Sequence, residues 1–372
     1  MGGHGFRTDS RAVLVVKPSS ASAVVSPVTA EAVFPTGWDT KVMRFGIIST
    51  ANFAQVALIP AIRKAGHEVT AIGSRELSRA EAVADRFDID RAYGSYEALF
   101  EDETIDAVYN PTPHSEHAQW SMRAADHGLH VLCEKPMAVS AAEAREMAAH
   151  CEAAGVVLME ALMYRYHPRT RRAVELVATE FEHVQSVTGA FHGYRSRDAE
   201  LDPDLKRGSL LEIGVYPVTA AKGFLGVPDR VYARVQDSFG SGLDTDTRAT
   251  LEYANGATAQ VSSSFDSVHR QFYRVDATNG WLAVKHAYAP SPRSAPDGVD
   301  PVETELRYAV DGREGVETFA AVDQFALEVE HFVACIEHDR TPRTDARSAV
   351  ETLRICDAIL ESGERGEPVP IA

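Results

Sequence analysis

The hydrophobic rhythm of the chain changes twice. Residues 1–42 are rich in Ser, Ala, Val and Pro and carry little periodicity. From Arg44 onward, short apolar runs alternate with stretches whose apolar residues recur at helical spacing. Residues 44–49, 68–73, 107–110, 130–133 and 156–160 read as strands. A helical stretch ends near Ala65, and others span 78–87, 116–127 and 141–154. Ser78 is the expected cap of the second helix, and Pro60 should kink or restart the first. Strands this short, separated by helices, predict a parallel, doubly wound sheet. After about residue 169 one helix (171–179) gives way to longer alternating segments at 184–192, 231–237, 249–253, 257–265 and 272–277. Asn255-Gly256 and Asn279-Gly280 are hairpin turn signals, so the second half reads as an antiparallel sheet. Helices near 323–338 and 346–362 close the chain.

At 372 residues the chain is long enough for two domains. Its 45% apolar and 24% charged residues are an ordinary globular balance that excludes wholesale disorder. The charge is less ordinary: 37 basic residues, only seven of them lysine, face 54 acidic ones, a net charge of −17. Such a field repels phosphate backbones and argues against nucleic-acid binding. It also fits an acidic surface adapted to a salt-rich cytoplasm. Cys133, Cys151, Cys335 and Cys356 are widely spaced, so reduced structural thiols are expected rather than a metal or disulfide. No apolar run reaches the roughly 18 residues of a membrane span. The apolar run at 12–16 is too short for a signal-peptide core, so a cytoplasmic protein is expected.

The first strand runs into Ser49-Thr50-Ala51-Asn52-Phe53-Ala54. A dinucleotide-binding turn wants G-x-G-x-x-G/A there, so that backbone amides approach a pyrophosphate. Ser49 and Ala51 hold the first two glycine positions, and Ala54 fits the third. The residues are small enough for close approach, and Asn52 tolerates turn conformations. At the end of the second strand, an NAD enzyme usually places an acidic residue for the ribose 2′-hydroxyl. Gly73-Ser74-Arg75 offers a hydroxyl and a guanidinium instead, which suit a 2′-phosphate and favour NADP over NAD.

His130-Val131-Leu132-Cys133-Glu134-Lys135-Pro136 sets three special residues at the carboxyl end of a buried strand, where doubly wound sheets place ligands. Pro136 can support a cis peptide. Glu212 and Tyr216 stand four apart in Gly208-Ser209-Leu210-Leu211-Glu212-Ile213-Gly214-Val215-Tyr216-Pro217, so a helical turn would set both on one face.

Taken together, these segments resemble the glucose–fructose oxidoreductase / inositol dehydrogenase / rhizopine-catabolism (Gfo/Idh/MocA) family. The carriers are residues 45–54, Asn110-Pro111-Thr112-Pro113-His114 with His117, residues 130–136, Met159-Glu160-Ala161-Leu162-Met163-Tyr164-Arg165-Tyr166-His167-Pro168, and residues 208–217. The resemblance covers about residues 43–370. It implies an NAD(P)-binding Rossmann domain (43–168), then a substrate-binding and oligomerisation domain (169–372) with an open-faced sheet whose C-terminal helices return to the first domain. Residues 1–42 remain an extension without counterpart, disordered or a misassigned start.

The resemblance also implies hydride transfer. Many relatives carry Asp at the position of Glu212 and His at that of Tyr216; tyrosine there is similar to the sugar- and dihydrodiol-dehydrogenase branch. A tyrosine pKa of about 10 is too high for a base at neutral pH unaided, and a nearby ammonium favours the phenolate. Tyr216 is therefore the expected acid/base, Lys135 its electrostatic partner and substrate donor, and Glu212 the residue that orients substrate hydroxyls. Cofactor contacts are expected from Ser49, Thr50, Ala51, Asn52, Phe53, Ser74, Arg75, Thr112, His114, His117, Glu134, Lys135 and Arg165. His114, His117 and His167 read as loop-packing or ligand-contacting rather than as a metal site, and Asp198, Asp202 and Lys206 as a pocket border. The expected activity is an NADP-dependent aldose 1-dehydrogenase of the D-xylose type acting on a small sugar or polyol. Alternatives are a trans-dihydrodiol dehydrogenase or keto-sugar reductase, an NAD-dependent glycosidase, and a non-catalytic sugar sensor. One face of the second sheet should be apolar enough to form a homodimer or homotetramer.

Overall fold

A computed structural model describes residues 41–196, 201–289 and 302–371. Asp198 and residues 1–40 of the N-terminal extension lie outside the described residues. In the first half β1 (Arg44–Ile48), α1 (Ile59–Lys64), β2 (Glu68–Gly73), α2 (Leu77–Phe87), β3 (Arg91–Tyr93) and α3 (Tyr96–Phe100) come first. They are followed by β4 (Ala107–Asn110), α4 (His117–Asp126), β5 (His130–Glu134), α5 (Ala141–Ala154) and β6 (Leu158–Ala161). The six strands pair in parallel in the order β3-β2-β1-β4-β5-β6. Phe45, Ile47 and Ile48 of β1 and Ala107, Val108 and Tyr109 of β4 are fully buried, as both-face coverage by helices requires. The strand order reverses between β1 and β4, which opens a crevice at their carboxyl ends.

Two local expectations need correction. The short β3–α3 unit was not anticipated, because three residues of edge strand carry no readable period. Ser78 does not cap α2: the helix begins at Leu77, and Glu76 stands at the cap without a side-chain bond. Glu76 instead pairs with Arg79 at 2.9 Å. Serine caps do occur at α3 and α5, where Ser95 and Ser140 accept from Ala98 and Glu143 N–H. Pro60 restarts its helix as expected. The preceding turn, Ala54–Leu58, is a wide π turn in which Ile59 N–H donates to Ala54 O, and Pro60 sits in the first turn of α1, where a missing N–H is harmless.

The second half opens with α6 (Pro168–Glu180), β7 (Val184–His192), α7 (Val215–Leu225), β8 (Arg230–Gln236) and β9 (Asp246–Glu252). It continues through β10 (Thr258–Ser264), β11 (Arg270–Ala277), β12 (Gly280–Lys285), β13 (Thr304–Val310) and β14 (Arg313–Phe319). It closes with α8 (Gln324–Glu337), α9 (Ala346–Arg365) and β15 (Val369–Pro370). The nine strands follow the order β14-β13-β12-β11-β7-β10-β9-β8-β15. The sheet is mixed rather than purely antiparallel, because β10 pairs with β7 in parallel. The cause is α7, which crosses the sheet against β7, β10 and β11 and delivers the chain to the far edge. Both hairpin signals hold, for different reasons. Gly256 has φ +86°, whereas Gly280 opens β12 where a Cβ would lie 2.2 Å from Ala309 O.

Helices α7 and α9 cover one face of this sheet. The groove on the opposite face is mixed: Thr188, Arg234, Arg248, Gln260, Ser262 and Arg270 line it together with Ala190, Val261, Tyr232 and Phe272. The closing helices return to the first half. Phe325 meets Phe53 at 5.7 Å and Phe332 meets Phe45 at 6.1 Å, while α9 packs on α5. All four cysteines are buried free thiols. Among the described residues no helix is long and apolar enough to cross a membrane.

Candidate active site

The crevice above β1, β4 and β5 collects most of the residues singled out in the sequence. Ser49 leaves β1 with φ +83°, a backbone conformation that glycine adopts easily and serine rarely. Its N–H donates to Gly73 O at 2.9 Å, which ties the turn to the end of β2. Gln55 donates its side-chain N–H to Thr50 O at 2.9 Å and its backbone N–H to Ala51 O. Asn52 is exposed, and Phe53 leads into the π turn. Small residues thus stand at 49, 51 and 54 around a left-handed turn. Ser74 is buried and Arg75 extends into solvent at the end of β2, with its guanidinium 3.8 Å from Glu116.

The ends of β4 and β5 are joined by His117. Its Nδ1 lies 2.8 Å from Pro136 O and its Nε2 2.8 Å from Thr112 O. Thr112 donates its hydroxyl to Asn110 Oδ1 at 2.7 Å, and Asn110 in turn donates to His117 O and Ser121 Oγ. Burial pulls the His117 pKa down to about 4 and the neighbouring His114 down to about 3. Glu134 accepts from Tyr109 Oη at 2.8 Å and from Lys135 N–H at 3.2 Å. The Lys135–Pro136 peptide is cis.

From the second half, the segment 208–217 arrives as a π turn, Leu210–Gly214, running straight into α7. Lys135 Nζ donates to Glu212 O at 2.8 Å and stands 5.6 Å from the centre of the Tyr216 ring. Tyr216 is buried among Tyr164, Phe191 and Tyr288, with ring centres at 5.9, 5.4 and 5.4 Å, and donates its hydroxyl to Met163 Sδ at 3.5 Å. Lys135, Glu212 and Tyr216 are thus brought together from two sheets.

Glu212 is more heavily engaged than the sequence suggested. Arg207 donates to it in a fork at 3.0 and 3.1 Å, His114 Nε2 lies at 3.4 Å and Arg195 at 3.6 Å. Burial would raise its pKa, yet the Lys135 ammonium and the Arg207 fork hold the carboxyl well below the usual range. Lys206 borders this cluster through its carbonyl, 3.2 Å from His114 Nδ1, and Asp202 caps the short turn Pro203–Leu205 before it.

His167 has a packing role at the loop into α6, one of the two expected for it. It caps that helix by accepting from Arg169 N–H. Arg165 lies further along α7 than Tyr216, in a cavity of about 280 Å³ with Thr219, Lys222 and Glu351. Its guanidinium sits 2.5 Å from where a Cβ on Gly223 would be. Sequence reasoning missed Arg195, Arg207 and Asp244. Asp244 accepts from Ser209 Oγ and Leu210 N–H, each at 2.7 Å, and so fixes the start of the π turn. Arg207, five residues before Glu212, was the one with a readable signal.

Residues 43–162 match the model of an oxidoreductase family with an NAD-binding Rossmann fold, and residues 170–283 match the GFO/IDH/MocA C-terminal domain. D-xylose 1-dehydrogenase (NADP(+)) 2 of Haloferax volcanii is 48% identical over 333 residues, covering 88% of this chain and all of that protein. Mouse trans-1,2-dihydrobenzene-1,2-diol dehydrogenase is 31% identical across 67% of this chain and 76% of its own length. KijD10, a 3-ketoreductase from Actinomadura kijaniata solved with NADP and TDP-benzene, superposes with a TM-score of 0.78 at 28% identity, over 87% of this chain and 98% of that one. With its two halves matched in order and the lysine and tyrosine facing each other between them, the chain belongs to the GFO/IDH/MocA family of oxidoreductases.

Proposed function

We propose that the protein is an NADP-dependent aldose 1-dehydrogenase that oxidises the anomeric carbon of D-xylose or a similar sugar to the lactone. The observation that carries this reading is the Lys135 ammonium set 5.6 Å from the Tyr216 ring, with its reach fixed by the Glu212 carbonyl. The 48% identical D-xylose dehydrogenase supports the substrate and cofactor. Bound NADP would supply the acceptor for the hydride that leaves the carbinol carbon. The Ser49–Phe53 turn, with Thr112, Glu134 and the His114–His117 turn facing it, would hold that cofactor, and Ser74 with Arg75 would bind its 2′-phosphate.

The protein's own task is the hydroxyl proton. Tyr216 accepts it as the phenolate that the Lys135 ammonium favours, and its contact with the Met163 thioether sulfur is weak enough to yield to a substrate oxygen. Lys135 supplies positive charge that favours the phenolate and donates to the same substrate oxygen. Glu212 acts through its ion pairs: it holds Arg207 and Arg195 at the pocket edge, where the Arg207 guanidinium can meet sugar hydroxyls. This assigns hydroxyl orientation to the whole cluster rather than to the carboxylate alone. Arg165, further along α7 than Tyr216, is assigned no cofactor contact in this mechanism.

The same machinery run on a trans-dihydrodiol or a keto-sugar is the second reading, favoured by the dihydrodiol dehydrogenase and ketoreductase relatives. A silent sensor would need neither Lys135 nor Tyr216. A cytoplasmic, salt-adapted homodimer or homotetramer completes the proposal. Purified protein incubated with NADP or NAD and a panel of aldoses, dihydrodiols and glycosides tests it by absorbance of the reduced cofactor. Reduction of NADP with D-xylose is expected. Turnover only of diols, or glycoside cleavage without net cofactor reduction, would replace the reading.

A further inference from the structure

We propose that Glu116 sets the cofactor preference by competing with the 2′-phosphate for Arg75. The inference rests on the reading of Ser74 and Arg75 as the 2′-phosphate site. Glu116 belongs to the short turn His114–Glu116 that leads into α4, and its two carboxylate oxygens have different tasks. Oε2 accepts from Trp120 Nε1 at 3.0 Å, one helical turn further on, which anchors the side chain. Oε1 faces Arg75 at 3.8 Å. Trp120 is itself fixed, because its ring meets Tyr96 edge-on at 4.8 Å. The anion beside Arg75 is therefore built into the cofactor crevice from α3 and α4, and its carboxylate is only one-quarter exposed. Arg75, three-quarters exposed, is the mobile partner.

The sign of the effect follows from charge. A 2′-phosphate dianion must draw Arg75 away from Glu116 and then sit near that carboxylate, so Glu116 works against NADP twice. A ribose 2′-hydroxyl bears no charge and meets neither penalty. Glu116 is thus a specificity-determining residue that narrows the preference for NADP, and Glu116→Gln should widen it. Glutamine keeps an acceptor for Trp120 and loses only the charge.

Calorimetric titration of the full chain with 2′,5′-ADP and 5′-AMP tests this without any turnover. Glu116→Gln is expected to bind 2′,5′-ADP about twofold to fivefold more tightly, the modest range of a partly exposed ion pair, with 5′-AMP unchanged. Glu116→Ala, measured beside it, should move 2′,5′-ADP in the same direction. Unchanged or weaker 2′,5′-ADP binding in Glu116→Gln overturns the proposal; weaker binding would mean that the carboxylate presents Arg75 to the phosphate. Arg75→Ala separates the two readings. If that variant still distinguishes 2′,5′-ADP from 5′-AMP as the parent does, the 2′-phosphate site itself is misplaced. If it loses the distinction while Glu116→Gln changes nothing, only the role of Glu116 falls.

Discussion

Lys135 and Tyr216 act on one proton and one substrate oxygen, so their losses should not multiply. Lys135→Ala is expected to reduce turnover by roughly 10²–10⁴, and Lys135→Ala combined with Tyr216→Phe by little more. Single-turnover rates on both variants and their combination check this; multiplicative losses would mean independent roles. At the cofactor's other end, Arg75→Ala should weaken NADP binding by roughly 1.5–3 kcal/mol and leave NAD nearly untouched. Fluorescence titration with the two cofactors decides, and equal losses would refute the assignment. These residues were legible in the sequence because each sits at a strand end or in a tight motif. Arg195, which also faces Glu212, was not, because it reaches the site from a loop whose path no local pattern encodes.

The two π turns, Ala54–Leu58 and Leu210–Gly214, stand at the two working edges of the crevice, one behind the phosphate turn and one carrying Glu212. Such turns are rare and need outside support. For the second, the support is Asp244 in the β8–β9 connection: its carboxylate takes Ser209 Oγ and Leu210 N–H, and its carbonyl takes Ser209 N–H. Gly208 is required beside it, since a Cβ there would fall 2.0 Å from Asp244 Oδ1. Asp244→Ala should lower kcat about tenfold to a hundredfold at temperatures well below melting, with NADP affinity unchanged, and Asp244→Asn should recover most of the loss. A lower Tm with unchanged kcat would reduce Asp244 to a structural strut. Periodicity located β2, β4, β7 and α5 to the residue, because their burial patterns are clean. It could not reveal that β10 runs parallel to β7, because alternation carries no strand direction. It also missed β13–β15, although Asp311-Gly312, both at positive φ, is a hairpin turn signal between the first two.

Across the whole molecule, buried histidines outweigh buried acids in the acid response. Burial lowers His114 and His167 to about 3 and His117 and His331 to about 4, from an ordinary 6.5. Their stabilisation is complete above pH 6.5 and is lost as pH falls toward those values, because the unfolded chain binds the extra protons. Glu160, raised by burial from 4.5 to about 7, and Glu328, raised likewise, act in the opposite sense, favouring the fold at low pH and losing that contribution as pH rises. His67, His130 and His192 are also lowered by burial, and Asp244, Glu330 and Asp357 also raised. The histidines still outnumber the carboxyls, so Tm should rise between pH 4.5 and 6.5; thermal scans that show a flat or falling Tm there would contradict the burial of these rings. The arginine-bearing open sheet face makes any pairing through it sensitive to salt. Light scattering should find a dimer or tetramer, and a monomer at every salt concentration would defeat that part of the proposal. The central claim is that one protein group takes the proton that hydride transfer leaves behind. Its most direct test is the single-turnover rate of Tyr216→Phe with saturating NADP and the best sugar substrate, beside its NADP affinity. A rate lower by roughly 10²–10⁴ with NADP affinity unchanged is the expected result, and a near-normal rate would contradict the mechanism and shift the search to His114.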